Sequence, residues 1–145
     1  MLELNAGASR AMVETGVNSA TDVTGFGLLG HLQSMMAASS TSAQIYQSKV
    51  PLIPGLLEAA ELGTVPDGSK RNLSSLADSV KWDQSIPDTV RMILCDAQTS
   101  GGLLISVKKG RLDYLMDQLR SNGVSQPKVI GEVNSGSPGT IQVVQ

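Results

Sequence analysis

Apolar residues recur at helical spacing, i, i+3 or i+4 and i+7, in three stretches of the chain. The positions are Leu4, Ala8, Ala11 and Met12 in the first stretch, Leu28, Leu32, Met35 and Met36 in the second, and Leu112, Leu115, Met116 and Leu119 in the third. The pattern predicts amphipathic helices over residues 3–15, with Gly16 as the stop, and over about 28–38. It also predicts a third helix that Asn122-Gly123 ends.

Short apolar runs predict strands. Residues 43–46 form one such run, and residues 103–107 form a near-continuous run that is typical of a strand covered on both faces. Residues 129–133 and 141–144 flank a loop of Ser, Gly and Pro, which predicts a hairpin.

Proline and glycine punctuate the middle of the chain. Residues 55–61 predict a helix that follows Pro54 and ends at Gly63, whereas Pro-Asp-Gly at 66–68 predicts a turn. Further helical pieces are predicted from residue 71 and from residue 87 to about 95. This mixture predicts an α+β or α/β fold in which a mixed sheet of about four strands packs with helices.

Composition and charge narrow the class of protein. The 145 residues fit a single domain with an ordinary hydrophobic fraction of 41%, but aromatic residues make up only 3%. A net charge of −2 and the scarcity of stacking side chains argue against a nucleic-acid partner. No apolar run predicts a membrane span, and the amino end lacks the pattern of a signal peptide. The single Cys suits a reducing compartment, so we expect a cytoplasmic protein.

The first candidate for chemistry is the Asp22 loop, residues 22–27. It places a carboxylate directly before Thr24-Gly25-Phe26-Gly27, and a predicted helix follows at once. The glycines allow a tight turn and a close approach to a ligand, while the start of a helix favours a negative group. Because a carboxylate beside an anion needs a cation between them, the loop predicts a half-site for phosphate-bound Mg²⁺, with Asp22 as a metal ligand.

The second candidate is the Asp96 loop, residues 96–102, which again places an acidic residue before hydroxyls and glycines. Its candidate residues for a nucleotide or phosphate are Asp96, Gln98, Thr99, Ser100, Gly101 and Gly102. Backbone donors in such a loop can surround an oxyanion, and the hydroxyls of Thr24, Thr99 and Ser100 can donate to phosphate oxygens. The two loops can close on one ligand. Since these residue types also make plain turns, the turn interpretation stays open from the residues alone.

The other reactive side chains favour structural roles. His31, the only histidine, lies one turn into the second helix, where packing or a hydrogen bond to a nearby loop is expected. Cys95 follows apolar residues and precedes an anion, which predicts a core thiol rather than a nucleophile. Lys70-Arg71 fits a solvated charge pair, and Arg71-Asn72 is retained as a candidate for reaching phosphate.

Four segments, taken in order, resemble selenophosphate synthetase (selenide, water dikinase). They are Thr-Asp-Val-Thr-Gly-Phe-Gly-Leu-Leu-Gly-His at 21–31, Val-Pro-Leu-Ile-Pro-Gly at 50–55, Arg-Asn-Leu at 71–73 and Asp-Ala-Gln-Thr-Ser-Gly-Gly-Leu-Leu at 96–104. The related aminoimidazole ribonucleotide synthetase superfamily shares the Thr-Asp-x-Thr-Gly-x-Gly element, but the later segments favour the selenium enzyme. Ala97 departs from the Pro that this resemblance leads us to expect after the second Asp.

The resemblance implies that residues 1–145 are a PurM-like carboxy-terminal domain and that the amino-terminal ATP-binding domain is absent. Such enzymes turn selenide, ATP and water into selenophosphate, AMP and phosphate with Mg²⁺, and thereby supply selenium for selenocysteine and seleno-tRNA. Asp22 then corresponds to an aspartate that binds Mg²⁺, and Thr24, Gly25 and Gly27 shape the loop around it.

The same resemblance implies a homodimer when the protein is full length. It also implies no catalytic residue in this chain, because the reactive Cys or selenocysteine belongs to the amino-terminal domain, so the chain alone is expected to be inactive. Two alternatives stay open at this point. One is a stand-alone, noncatalytic module that binds phosphate or regulates a partner. The other is a different ATP enzyme of the same superfamily.

Overall fold

Helices and strands alternate along most of the chain. The computed structural model describes residues 5–145. Within that range the helices are α1 (Ala6–Thr15), α2 (Gly27–Ala38), α3 (Leu56–Glu61), α4 (Asp67–Ser75), α5 (Asp88–Leu94) and α6 (Leu112–Ser121). The strands are β1 (Ser19–Asp22), β2 (Ser42–Tyr46), β3 (Val80–Trp82), β4 (Leu103–Ser106), β5 (Gly131–Asn134) and β6 (Ile141–Val144). Over the same range, no helix combines the length and the apolar character that crossing a membrane requires.

A mixed sheet forms one half of the structure, in the strand order β3-β6-β2-β5. Strand β6 runs parallel to both β2 and β3, whereas β5 runs antiparallel to β2. Ala43 of β2 is therefore paired with Ile141 on one side and with Val133 on the other. The four strands and their helices confirm the predicted α+β fold.

The predicted hairpin between the last two strands is wrong. Strands β5 and β6 do run in opposite directions, but they pair with opposite edges of β2 and not with each other. The loop between them crosses the end of β2, where the N–H of Gly139 donates to the carbonyl of Thr41 at 2.9 Å. Strand β2, from a distant part of the chain, therefore lies between β5 and β6, and its Ala43 and Ile45 are buried.

A separate two-stranded antiparallel ribbon, β1 with β4, fixes the positions of the two candidate loops. Asp22 at the end of β1 is paired with Leu103 at the start of β4. The Asp22 loop leaves the ribbon where the Asp96 loop enters it, so the two loops meet at one end. The sequence pattern did not predict β1, because Ser-Ala-Thr-Asp lacks the apolar or β-branched alternation that marks a strand.

Two apolar clusters pack on opposite faces of this ribbon. The larger cluster joins α2, α4 and α5 to the mixed sheet; its fully buried members are Leu29, Met36, Leu94, Cys95, Ile141 and Val143. The smaller cluster joins α1 to α6 through Ala8, Ala11, Leu115 and Leu119. Leu104 of β4 packs on the larger cluster, whereas Leu103 and Ile105 pack on the smaller one. Apolar clusters thus contact both faces of β4, as predicted, although its four residues stay only half-buried.

Most predicted helices are confirmed, and one turn is not. Gly16 ends α1 in a left-handed conformation with φ of 68°, as the stop signal predicted, while Leu4 lies outside the described residues. Pro66-Asp67-Gly68 is not a turn. Pro66 is extended and immediately precedes α4, and Asp67 lies in the first turn of that helix. Proline lacks the N–H that a helix start leaves unused, and the helix dipole favours an acidic side chain there.

Candidate functional site

The Asp22 loop turns the chain from β1 into α2. Val23 is buried, and the carbonyl of Thr24 accepts the N–H of Gly27 at 2.9 Å, which closes the turn. The side chain of Asp22 is exposed at the end of the ribbon. Within residues 5–145 its carboxylate has neither a hydrogen-bond donor nor a cationic side chain as a partner. It is therefore available to a ligand.

His31 holds the Asp22 loop from the first turns of α2. Its Nε2 accepts the backbone N–H of Thr24 at 3.0 Å, and Thr24 Oγ1 lies 3.1 Å from the same nitrogen. A ring nitrogen that accepts an N–H carries no proton of its own, so the neutral ring has its proton on Nδ1. The predicted hydrogen bond from His31 to a nearby loop is thus confirmed.

Backbone hydrogen bonds join the Asp96 loop to the Asp22 loop. The N–H of Val23 donates to the carbonyl of Gly102 at 2.9 Å, and the N–H of Gly101 donates to the carbonyl of Val23 at 2.8 Å. The N–H of Gln98 donates to the carbonyl of Thr24 at 3.1 Å. The structure therefore brings the two predicted loops together along their length.

Gly27 makes the closest approach between the loops. Its φ is +70°, and a Cβ there would lie 2.7 Å from the carbonyl carbon and oxygen of Cys95 and 2.8 Å from the carbonyl oxygen of Asp96. Because these are backbone atoms, they cannot rotate away as a flexible side chain would. Glycine is required at this position both for its φ and for the space.

Helix α4 contributes two polar side chains to the loops: Asn72, which the sequence made a candidate for reaching phosphate, and Ser69, which the sequence did not indicate. Asn72 Nδ2 donates to the carbonyl of Gly25 at 2.9 Å and to that of Cys95 at 3.0 Å. Gly25 lies in the Asp22 loop, and Cys95 directly precedes the Asp96 loop. Ser69 is completely buried and donates to Asp96 Oδ1 at 2.5 Å. Asn72 was a candidate for reaching phosphate, but its amide instead binds backbone. The neighbouring Arg71 is exposed.

The two aspartates have different surroundings. Asp96 is partly buried and accepts the Ser69 hydroxyl, whereas the Asp22 carboxylate is exposed and unpaired among the described residues. The N–H of Ala97 donates to the oxygen of Ser69 at 3.1 Å, a bond that the Pro expected at this position could not make. Asp22 is therefore the carboxylate of this pair that is free to bind a cation.

The exposed part of the Asp96 loop carries unpaired donors. Thr99 and Ser100 are exposed, and their hydroxyls have no hydrogen-bond partner among residues 5–145. The side chain of Gln98 lies over Gly101, where a Cβ would collide with its Oε1. Gln98 and Asp96 also line a cavity of about 190 Å³ together with apolar residues of the 50–56 segment. These donors can reach an oxyanion; their role in binding one stays a prediction.

The donor set fits Mg²⁺ bound through a single protein carboxylate. Among residues 5–145 no group of three or more His, Cys, Asp or Glu side chains is placed to hold a metal ion. Mg²⁺ needs no such cage, since it is commonly held by one or two carboxylates together with waters and substrate phosphates. The unpaired carboxylate of Asp22 meets that requirement.

Cys95 is excluded as a nucleophile in the folded chain. It is fully buried in the larger apolar cluster, and burial raises the pKa of its thiol to about 12. A thiol with so high a pKa contains almost no thiolate at neutral pH. This confirms the expected core role. Lys70 and Arg71 are both exposed on α4, as the interpretation of a solvated charge pair predicted, and Lys70 also lies 3.3 Å from Asp67.

Comparisons with known proteins identify the family of the chain. The family described as "AIR synthase related protein, C-terminal domain" matches residues 1–144. Proteins named "Selenide, water dikinase" are similar over nearly the whole chain. The one from Clostridioides difficile is 42% identical over 92% of this chain and 38% of its own length. Those from Sulfurovum and Sulfurimonas denitrificans are 41% and 42% identical over 99% of this chain and 41% of their own lengths.

The chain thus spans about two fifths of the length of the relatives it matches. The match covers both glycine loops and the helices that hold them. The chain belongs to the family of AIR synthase related proteins, in which it corresponds to the C-terminal domain, and it is similar over nearly its whole length to proteins named selenide, water dikinase.

Proposed function

We propose that this chain is the carboxy-terminal domain of an enzyme that makes selenophosphate from selenide, ATP and water, with AMP and phosphate as the other products. The names of its relatives support the reaction. One structural observation carries the site. The Asp22 and Asp96 loops are hydrogen-bonded side by side, and the Asp22 carboxylate, exposed and without a partner among residues 5–145, lies where they meet the ribbon.

Each loop has a distinct part in this proposal. Asp22 binds Mg²⁺, and Thr24, Gly25 and Gly27 keep the surrounding backbone in place. In residues 98–102 of the Asp96 loop, the hydroxyls and backbone N–H groups of Thr99 and Ser100 donate hydrogen bonds to phosphate oxygens. The N–H groups of Gln98 and Gly101 are donated to the Asp22 loop, so these residues and Gly102 shape the loop around the phosphate. Mg²⁺, when bound, neutralises the charge of the phosphates and so permits an acidic side chain beside them.

The rest of the enzyme lies in sequence that this chain does not contain. The relatives are about two and a half times as long, which supports an additional amino-terminal domain. We assign to that domain most of the nucleotide site, the reactive Cys or selenocysteine and the contacts of a cytoplasmic homodimer. This chain alone is then inactive toward selenide, so the activity is tested in the intact protein.

Replacing Asp22 with Asn in the intact protein tests the site. The substitution keeps the shape of the side chain but removes its charge, so we expect Mg²⁺-dependent, selenide-dependent ATP consumption to fall by about a hundredfold, the loss seen when an important electrostatic contact is removed. Consumption of ATP is measured against Mg²⁺ concentration. The matched control is Asp113→Asn, which makes the same charge change on the exposed face of α6.

His31→Gln serves as a comparison and not as a neutral control. Its ring holds the N–H of Thr24, so replacing it loosens the loop without removing a metal ligand. We expect a smaller loss than for Asp22→Asn, with Mg²⁺ dependence near that of the wild type. If Asp22→Asn behaves like Asp113→Asn, the metal role of Asp22 is wrong.

A further inference from the structure

Helix α4 touches both glycine loops through one face. Ser69 and Asn72 are three residues apart, which places them on the same side of the helix. We call these two residues the α4 pair. Asn72 bonds to the Asp22 loop through Gly25 and to the residue before the Asp96 loop through Cys95. Ser69 bonds to the first two residues of the Asp96 loop.

The amide of Asn72 is suited to join two carbonyls. Its NH₂ group has two hydrogens, and each is donated to a different backbone carbonyl, at 2.9 Å and 3.0 Å. The two acceptors, Gly25 and Cys95, are separated by 70 positions in the sequence. A carboxylate of the same shape could not replace the amide, because its oxygens would face two carbonyl oxygens. The bridge that Asn72 makes between Gly25 and Cys95, in addition to the backbone bonds between the loops, thus depends on a donor at this position.

Ser69 fixes the orientation of Asp96. Its hydroxyl donates to Asp96 Oδ1 at 2.5 Å, and its oxygen accepts the N–H of Ala97 at 3.1 Å. Because Ser69 has no exposed surface, water cannot take over either bond when the hydroxyl is removed. The start of the Asp96 loop is therefore held by one buried hydroxyl on α4.

We infer that the α4 pair are positioning residues for the substrate triphosphate: they set the distance between the two glycine loops, so that both can bind one Mg²⁺–nucleotide. The inference rests on the proposed function and extends it to residues that touch neither metal nor phosphate. Loops held in the binding conformation before the ligand arrives lose less freedom on binding. Releasing either loop therefore weakens binding of Mg·ATP more than it changes turnover at saturation.

The test uses the intact protein with three substitutions on α4. Asn72→Ala removes both donors, Ser69→Ala removes the buried hydroxyl, and Ser74→Ala is the matched control. Ser74 is exposed, and its hydroxyl has no partner among the described residues. For Asn72→Ala and Ser69→Ala we expect KM for Mg·ATP to rise about tenfold, with kcat within about twofold of the wild type. Ser74→Ala should leave both values unchanged.

Hydrogen–deuterium exchange supplies a readout that does not depend on activity. The amides of residues 24–27 and 97–102 should exchange faster in Asn72→Ala and Ser69→Ala, while those of α6 exchange as in the wild type. Faster exchange in α6 as well would show general destabilisation and overturn the inference. If Ser69→Ala does not fold, Asn72→Ala alone decides, since its side chain is only partly buried.

The outcomes separate this inference from the proposed function. If Asp22→Asn removes activity but Asn72→Ala keeps the wild-type KM and loop exchange, the α4 pair has no positioning role and the proposed function stands. If Asp22→Asn has no effect, the proposed function fails. In that case, faster loop exchange in Asn72→Ala would support the loop contact but overturn its role toward Mg·ATP.

Discussion

Replacing Gly27 with Ala should destabilise the chain strongly. The residue has φ of +70°, a conformation that costs an L-residue about 1–2 kcal/mol. The added methyl would also lie 2.7–2.8 Å from three backbone atoms of Cys95 and Asp96. Relieving such a contact in a packed region costs about 1–3 kcal/mol more. The free energy of unfolding should therefore fall by about 2–5 kcal/mol, out of about 5–15 for a typical domain.

Gly63→Ala is the matched control for this measurement. Gly63 has φ of +79°, but a Cβ there would meet nothing within 4 Å, so only the conformational cost applies. Urea unfolding followed by circular dichroism measures both variants. With a slope of about 2 kcal/mol per molar urea, the midpoint should fall by about 1–2.5 M for Gly27→Ala and about 0.5–1 M for Gly63→Ala. Equal shifts would refute the argument that the loops are in close backbone contact at Gly27.

Two further substitutions test the packing around the site and around α1. Thr15→Val should raise the free energy of unfolding by about 1 kcal/mol in the same urea assay. The reason is that Thr15 Oγ1 is buried with no hydrogen-bond partner among the described residues. Thr15→Ser keeps the hydroxyl and should bring no such gain. Cys95→Ala should reduce the decrease in the free energy of unfolding that accompanies rising pH. The thiol of the unfolded chain ionises near its ordinary pKa of 9.0, whereas burial raises the pKa in the folded chain to about 12. The wild type therefore loses stability as the pH rises between these two values, because only the unfolded thiol ionises there. Urea midpoints that change in parallel for the two proteins from pH 8 to 11 would contradict this reasoning.

Long amphipathic helices could be predicted from the sequence, because their signal lies within one stretch of chain. Helix α6 begins at Leu112 and ends before Asn122-Gly123, as its apolar spacing and stop signal indicate. Strand pairing could not be predicted in the same way. The pattern around residues 135–139 specifies a reversal of direction, but nothing local shows that β2 lies between the reversing strands. Strand β1 gave no signal, since its polar residues form a strand only against β4.

The candidate site was predictable in part for a related reason. In the Asp22 loop and the Asp96 loop the polar side chains and the glycines are neighbours in the sequence. Asp22 and the hydroxyls of the Asp96 loop could therefore be identified from the residue types and their order. The contacts that hold the loops together come from residues far away in sequence. Asn72 and Ser69 are ordinary helix-surface residue types, and only the tertiary structure shows that they face the backbone of both loops. The sequence made Asn72 a candidate for reaching phosphate, but predicting its contacts and those of Ser69 would require knowledge of how α4 packs.

The central position of β6 has a consequence for how the domain forms during synthesis. Ile141 and Val143 supply buried side chains between β2 and β3, yet β2 leaves the ribosome about a hundred residues earlier. Until β6 emerges, one edge of β2 and both edges of β3 stay open to any extended peptide nearby. A pause in translation between β5 and β6 would prolong this exposed interval, and a nascent chain stalled there would be a strong substrate for chaperones.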